Sequence, residues 1–181
     1  MIYTDGLRLR APERSDIPSF VAWLNDPQVR QGLFLKFPLS RAEEEQWFDD
    51  MLKRPQPEHP MVIEIQDGDQ WVSVGNCGFH DIDWRSRGAE VGIFIGEKSY
   101  WNQGYGTRVM GLILKHGFTT LNLNRIFLRV FANNPRAIRA YEKAGFIHEG
   151  RLRQSEFQDG QYHDTLIMSV LRQEWTEEEN N

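Results

Sequence analysis

Three short stretches of this chain carry residue types that could do chemistry. The first is Tyr100-Trp101-Asn102-Gln103-Gly104-Tyr105-Gly106-Thr107, which stands directly before a long run of helical spacing. Glycines there permit backbone angles that other residues avoid and let a ligand come close to the main chain. The first N–H groups of a helix have no acceptor inside it, and the helix dipole adds positive potential. Such a start can hold a pyrophosphate without a lysine, although on its own the pattern fits a plain tight turn equally well. The second stretch is Asn133-Asn134-Pro135-Arg136-Ala137-Ile138-Arg139-Ala140-Tyr141-Glu142-Lys143-Ala144-Gly145-Phe146. Asn134 is a good N-cap, Pro135 fits the first helical position, and Gly145 fits the left-handed residue just past the end. These signals predict a short helix, with Tyr141 near its last turn and Phe146 folded back on it. The third is Glu90, a carboxylate in the otherwise uncharged run Ala89-Glu90-Val91-Gly92-Ile93-Phe94-Ile95. Such a group on an apolar strand is costly unless it is solvated, paired or chemically employed. Arg85 and Arg87 are the nearby partners for a paired role. His80, Asp81 and Asp83, read as lying in the preceding loop, are rival proton acceptors.

The elements that must position these groups follow from periodicity and punctuation. Alternation predicts a first strand over 7–11. Ser15-Asp16 starts a helix to about residue 25, and Asp26-Pro27 breaks it. Residues 32–39 read as an apolar loop or broken helix. Ser40 with Glu43 makes a capping box for a helix over 41–53, with Trp47, Phe48, Met51 and Leu52 turned inward. Strands are predicted over 61–65, 71–79 and 89–95, the first two joined by the turn signal Asp67-Gly68-Asp69. A helix over 104–121 precedes a strand over 126–131. The short helix over 135–144 follows, and then strands over 147–157 and 162–171 joined at Asp159-Gly160. This order implies an α/β (α+β) fold with a mixed sheet flanked by helices.

Composition sets the outer limits. The 181 residues suit one domain, read as 1–175 with an acidic disordered tail over 176–181. Eleven Phe, six Trp and five Tyr exceed what a disordered chain carries. A formal charge of −5 disfavours a general nucleic-acid binder and mildly favours cationic substrates. The lone Cys77 makes neither an internal disulfide nor a cysteine-rich zinc site and reads as a small, semi-buried side chain. No His/Cys/Asp/Glu spacing points to a metal, His148, His163 and Asp164 near the last hairpin included. No apolar run is long enough for a membrane span, and the start carries no secretion signal, so a cytoplasmic protein is expected. The glycine loop is not a P-loop, since no Gly-Lys-Ser or Gly-Lys-Thr follows, and it lacks the third glycine of a dinucleotide fingerprint. A nucleotide phosphotransferase is disfavoured accordingly.

The first two stretches, in this order and about 30 residues apart, resemble the GNAT superfamily of acyl-CoA-dependent N-acetyltransferases. The opening Leu7-Arg8-Leu9-Arg10-Ala11-Pro12-Glu13-Arg14-Ser15-Asp16 is similar to the subgroup of ribosomal-protein N-terminal and spermidine acetyltransferases. So are Gly117-Phe118, Leu121-Asn122-Leu123 and Arg125-Ile126. The loop departs from the superfamily in one place: Trp101 stands where Arg or Gln is common, which puts one phosphate contact in doubt. The resemblance implies a mostly antiparallel twisted sheet of about seven strands and acetyl-CoA as co-substrate. It assigns the pyrophosphate to Asn102, Gln103, Gly104, Tyr105, Gly106 and Thr107. Backbone groups of Phe94, Ile95 and Gly96 would take the pantetheine arm, and the Asn134 amide would touch the coenzyme beside its capping role.

By the same resemblance Tyr141 is the acid that protonates the leaving thiolate and Glu90 the general base. The base is needed because an alkyl ammonium with a pKa near ~10.4 must lose its proton before it attacks. The implied acceptor is a primary amine: a protein N-terminus, a polyamine or another small amine. Phe34, Phe37, Trp47 and Trp84 are apolar candidates for its site. Asp26, Glu43, Glu44 and Asp83 are candidates to bind a cation. A non-catalytic acyl-CoA sensor or scaffold is the alternative reading, and homodimerisation through a strand edge or the last hairpin is an option.

Overall fold

The computed structural model describes residues 1–175; the predicted tail over 176–181 lies outside the described residues. Eight strands follow the order β1-β2-β3-β4-β5-β6-β8-β7 in one mixed, mostly antiparallel sheet. The chain divides into two compact units. One holds Met1–Phe79 and Ile93–Trp101, the other His80–Gly92 and the chain from Asn102 onward.

In the first unit, β1 (Ile2–Thr4) and β2 (Leu7–Arg10) form a hairpin around Gly6, and β3 (Met61–Asp67) pairs antiparallel with β2. β4 (Gln70–Asp83) returns along β3. Leu7, Leu9, Val62, Ile63 and Ile65 are fully buried. The intervening Arg8 and Arg10 both reach Glu64, at 2.5 and 2.8 Å, and Arg10 grips Asp16 with two bonds of 2.7 Å. Asp16 in turn accepts from the Glu13 N–H, so one arginine fastens β2 to the start of α1 (Ile17–Asn25). The Asp26 side chain caps α2 (Pro27–Arg30). α3 (Arg41–Met51) begins with the expected capping box. Ile17, Phe48 and Met51 pack together with Val21 and Trp47 between α1 and α3.

In the second unit, β5 (Gly88–Ile95, entering this unit as far as Gly92) pairs parallel with β6 (Arg125–Phe131). α4 (Tyr105–Lys115) supplies the crossover that a parallel pair requires. The parallel register covers Gly88–Glu90 against Arg125–Phe127, while β6 pairs along its full length with β8 (Gln161–Leu171). β7 (Ile147–Gln158) closes the order against β8. α5 (Pro135–Lys143) precedes β7. Met110, Ile113, Leu114, Phe118, Leu123, Ile126 and Met168 are almost wholly removed from solvent.

The mixed, mostly antiparallel sheet is as expected; its eighth strand, the three-residue β1, shows no alternation of its own and exists through its pairing with β2. Several expectations are corrected. α3 ends at Met51, and Leu52 is 55 % exposed rather than turned inward. α4 ends at Lys115; the chain continues as one wide π turn over His116–Thr120, where the Leu121 N–H bonds back to the His116 carbonyl. β4 extends to Asp83, so His80 and Asp81 lie within a strand rather than in a loop and Asp83 ends it. Cys77 is fully buried rather than semi-buried, and burial pushes its thiol far above the ordinary range. The glycines that interrupt the strand pattern have steric causes. A Cβ on Gly75 would lie 2.1 Å from the Phe94 carbonyl oxygen, and one on Gly78 would lie 3.0 Å from the Pro60 Cα.

Candidate active site

The start of α4 is built by backbone conformation. Asn102 has φ +61° and Gly104 φ +84°, so the chain enters the helix through two left-handed residues. No side chain caps the helix. The Arg108 N–H is the first to bond within it, to the Gly104 carbonyl at 3.2 Å. The N–H groups ahead of it point along the axis, out of the N-terminal end, where an anion is favoured.

α5 lies against this start. The Thr107 hydroxyl donates to the Ala140 carbonyl at 3.3 Å. A Cβ on Gly106 would lie 3.7 Å from the Ala140 methyl, an ordinary contact. Helix packing therefore does not demand glycine at 106. Tyr141 follows Ala140 directly in the chain, so the tyrosine and the glycine turn are joined through two packed helices.

The ends of α5 behave as the sequence indicates. The Asn134 side-chain oxygen accepts from the Ala137 N–H at 3.2 Å. At the other end Gly145 has φ +94°, and its N–H bonds to the Glu142 carbonyl while the Phe146 N–H bonds to the Tyr141 carbonyl. This double closure brings the Phe146 ring to 6.0 Å from the Tyr141 ring. Burial pushes the Tyr141 phenol up to about 12, opposed by the positive charge of Arg136. The hydroxyl therefore stays protonated throughout the neutral range. The Asn134 oxygen is committed to the cap, so its amide group is the part that can donate to a ligand.

Glu90 is paired, but with neither Arg85 nor Arg87. The Arg129 Nε donates to its Oε1 at 2.8 Å and Nη2 to its Oε2 at 3.2 Å. Arg129 escaped the sequence reading because it lies 39 residues away. Its one signal is register: Phe127 sits opposite Glu90 in the parallel pair, and Arg129 is two residues on, on the same face of β6. The rival His80 lies under Gly92, where a Cβ would come within 2.8 Å of its Nε2. Asp83 accepts from the Arg85 and Ser86 N–H groups and serves a turn.

In the first unit, Phe94 packs its ring against Trp23, and a Cβ on Gly96 would fall inside that indole, 2.2 Å from Trp23 Cγ. The Gly96 N–H is spent on the Val74 carbonyl at 2.8 Å, and the Ile95 carbonyl accepts from the Trp101 indole at 2.7 Å. These two backbone groups are thus engaged within the chain. Trp101 fastens the end of β5 to the turn that follows, a task that an Arg or Gln in its place would not perform through an indole.

Most acceptor candidates have structural duties. Asp26 bonds Lys98 at 2.6 Å, which holds its carboxyl below the usual range, and also caps α2. Glu43 closes the α3 capping box, where the Ser40 N–H lowers its carboxyl. Trp47 meets the Phe20 ring edge-on. Phe37 is 78 % exposed; Phe34 and Trp84 are exposed as well. Glu44 differs: it is 4 % exposed, and burial alone pushes its carboxyl up. His148 bonds Glu142, and His163 bonds Asn133. Among the described residues, no group of three or more His, Cys, Asp or Glu is arranged to hold a metal ion. No helix among them is long and apolar enough to cross a membrane.

A mixed sheet with a glycine-started crossover helix, packed on a short Asn-capped helix that carries a tyrosine, defines an acyl-CoA transferase class, and comparison with known proteins agrees. Residues 6–147 match the family model described as an acetyltransferase (GNAT) domain, and the chain belongs to that family. It is an acyl-CoA-dependent N-acetyltransferase with acetyl-CoA as its co-substrate. Among its relatives, the Spermidine N(1)-acetyltransferase of Escherichia coli K12 is 30% identical over 96% of this chain and 90% of its own. The uncharacterized N-acetyltransferase p20 of Bacillus licheniformis is 29% identical, over 96% of this chain and 97% of its own. The crystal structure of spermidine N-acetyltransferase from Vibrio cholerae in complex with CoA and spermine superimposes with a TM-score of 0.86 at 29% identity. It covers 94% of this chain and 98% of that one.

Proposed function

We propose that this enzyme acetylates a primary amine of the polyamine class, spermidine first, with Tyr141 as the acid and Glu90 as the base, and that 1–175 acts as one catalytic domain. Acetyl-CoA brings the activated acyl group; the residues here bind, orient and move protons. The backbone N–H groups of 103–107 and the Asn134 amide hold the phosphates; Phe94, Ile95 and Gly96 are assigned to the pantetheine arm by the family resemblance alone. Asn102 supports them by setting the left-handed entry.

The observation that carries the chemistry is the placement of Tyr141. Its phenol is desolvated and protonated, and it directly follows the residue that packs on the glycine turn. An ordinary thiol has a pKa near ~8.5, so a phenol near 12 hydrogen-bonds to a departing thiolate. It yields its proton only where that thiolate is desolvated too. Glu90 receives the ammonium proton, directly or through water, on a lone pair that Arg129 leaves open, since each carboxylate oxygen has two. Polyamine is favoured over a protein N-terminus by the spermidine acetyltransferases among the relatives and by the −5 charge.

The test is thiol release from acetyl-CoA with spermidine, spermine, small monoamines and peptides with free N-termini offered separately. Turnover with spermidine at a kcat/KM at least about tenfold above the peptides supports the reading. A preference for peptides overturns the polyamine assignment. Binding of acetyl-CoA with no thiol release from any amine overturns the catalytic roles of Tyr141 and Glu90.

A further inference from the structure

We infer that Arg129 is a positioning residue of the transfer reaction: its two-pronged grip aims the Glu90 carboxylate, and the grip rather than a mere positive charge is what the reaction needs. This inference rests on the reading of Glu90 as the base.

The geometry is specific. Both oxygens of Glu90 are engaged by one planar guanidinium, which fixes the plane of the carboxylate as well as its place. The Glu90 side chain is 14 % exposed and Arg129 48 % exposed. The carboxylate is therefore the inner partner, and the arginine reaches in from the solvent side. A pair built for stability alone would gain little there, because ion pairs with a solvated partner contribute about 0–1 kcal/mol. The parallel pairing of β5 with β6 stops at Glu90 and Phe127. Arg129 therefore joins the two strands through side-chain atoms just past their last paired residues. Asp81 on β4 and Glu156 on β7 also face Arg129 and add to its positive preference, though Glu90 is its strongest contact. Of these three carboxylates, Glu90 is the one that the guanidinium holds with two hydrogen bonds. Free rotation of that carboxylate would misdirect its lone pair, and misplacement of about 1 Å costs about 100-fold in rate.

A lysine at 129 would keep the charge but not the fork. The experiment compares Arg129→Lys, Arg129→Gln, Glu90→Gln and the double variant Glu90→Gln/Arg129→Gln. The assay is thiol release with acetyl-CoA and the best amine of the panel above. Arg129→Gln and Arg129→Lys are expected to lower kcat about 10- to 100-fold, with KM for acetyl-CoA within about twofold. In the Glu90→Gln background the Arg129→Gln change is expected to cost less than about twofold more, because a positioning residue has nothing left to position. Added guanidinium should restore part of the Arg129→Gln rate.

The contact itself is read independently of turnover from the Arg129 Nε–H resonance of labelled protein. It should exchange slowly with water in the parent and quickly in Glu90→Gln. Full activity in Arg129→Lys, or additive losses in the double variant, would overturn the inference while leaving Glu90 as base. A Glu90→Gln variant with unchanged kcat would instead remove the base reading, and the role of Arg129 with it. A fast-exchanging Nε–H in the parent would show that the grip is not made in solution.

Discussion

Two helix starts in this molecule solve the same problem in opposite ways. α3 closes its own N-terminus: the Ser40 hydroxyl accepts from the Glu43 N–H at 3.2 Å, and the Glu43 carboxylate accepts from the Ser40 N–H at 2.7 Å. α4 has no side-chain cap and begins with a left-handed glycine whose neighbour at 106 has room for a methyl group. A capping box satisfies N–H groups that would otherwise seek water. Leaving it out of a helix that carries much of the core makes sense where an anionic ligand is meant to complete the end. One helix start is finished by its own sequence; the other has no side-chain cap, and in the function proposed above the co-substrate completes it. α5 lies between these extremes: its Asn134 oxygen caps while the amide group is left to donate.

The largest test of this contrast is at Tyr141, the acid in the function proposed above. Tyr141→Phe removes the hydroxyl and keeps the ring contact with Phe146. We expect kcat to fall about 100-fold or more, with acetyl-CoA affinity by calorimetry within about twofold. Because the phenol sits near 12, the parent should show no loss of its acid function on the alkaline side until well above pH 10. A Phe variant of full activity would leave the open start without a chemical partner.

Gly106→Ala separates folding from binding. The added methyl meets Ala140 at an ordinary 3.7 Å, and alanine is favoured over glycine inside a helix by up to about 1 kcal/mol. Denaturant melts should show equal or higher stability, while KM for acetyl-CoA rises about tenfold or more as the methyl blocks backbone approach. Unchanged KM would mean that the glycine has no ligand to admit. Ser40→Ala is the mirror experiment. It should cost about 1 kcal/mol of stability and leave KM for acetyl-CoA unaltered.

What the sequence disclosed follows the same division between local and distant causes. α5 was legible from end to end, because Asn134, Pro135, Gly145 and Phe146 act within a few residues of themselves. The α3 box was legible for the same reason, and that very bond disqualifies Glu43 as a free cation binder, a consequence the sequence reading did not draw. The contact between Thr107 and Ala140 spans 33 residues and the grip of Arg129 on Glu90 spans 39. Both depend on strand register and helix packing, which no local spacing announces. The end of α4 was misplaced because apolar residues continue at helical spacing through the π turn, where Phe118 remains buried. Periodicity reports which side chains turn inward, and both helix types turn Phe118 inward.

The smallest expected effect concerns α3 itself, one residue past its capping box. Glu43 faces solvent and holds the helix start, whereas Glu44 is 4 % exposed and its carboxyl is raised by burial alone. A carboxyl raised in the folded state binds its proton more tightly there than in the unfolded chain. The stability it contributes is present below its ordinary value of 4.5 and is lost as pH rises through the raised one. At neutral pH the folded protein therefore carries either a buried charge or the work of keeping a proton. Glu44→Gln removes that burden with little change of shape. We expect it to stabilise the protein by about 1 kcal/mol at pH 7.5, roughly 2–4 °C in Tm, and to make no difference at pH 4. A variant less stable than the parent at pH 7.5 would show that Glu44, unlike the other carboxylate of this helix start, is ionised for a purpose that the folded chain alone does not provide.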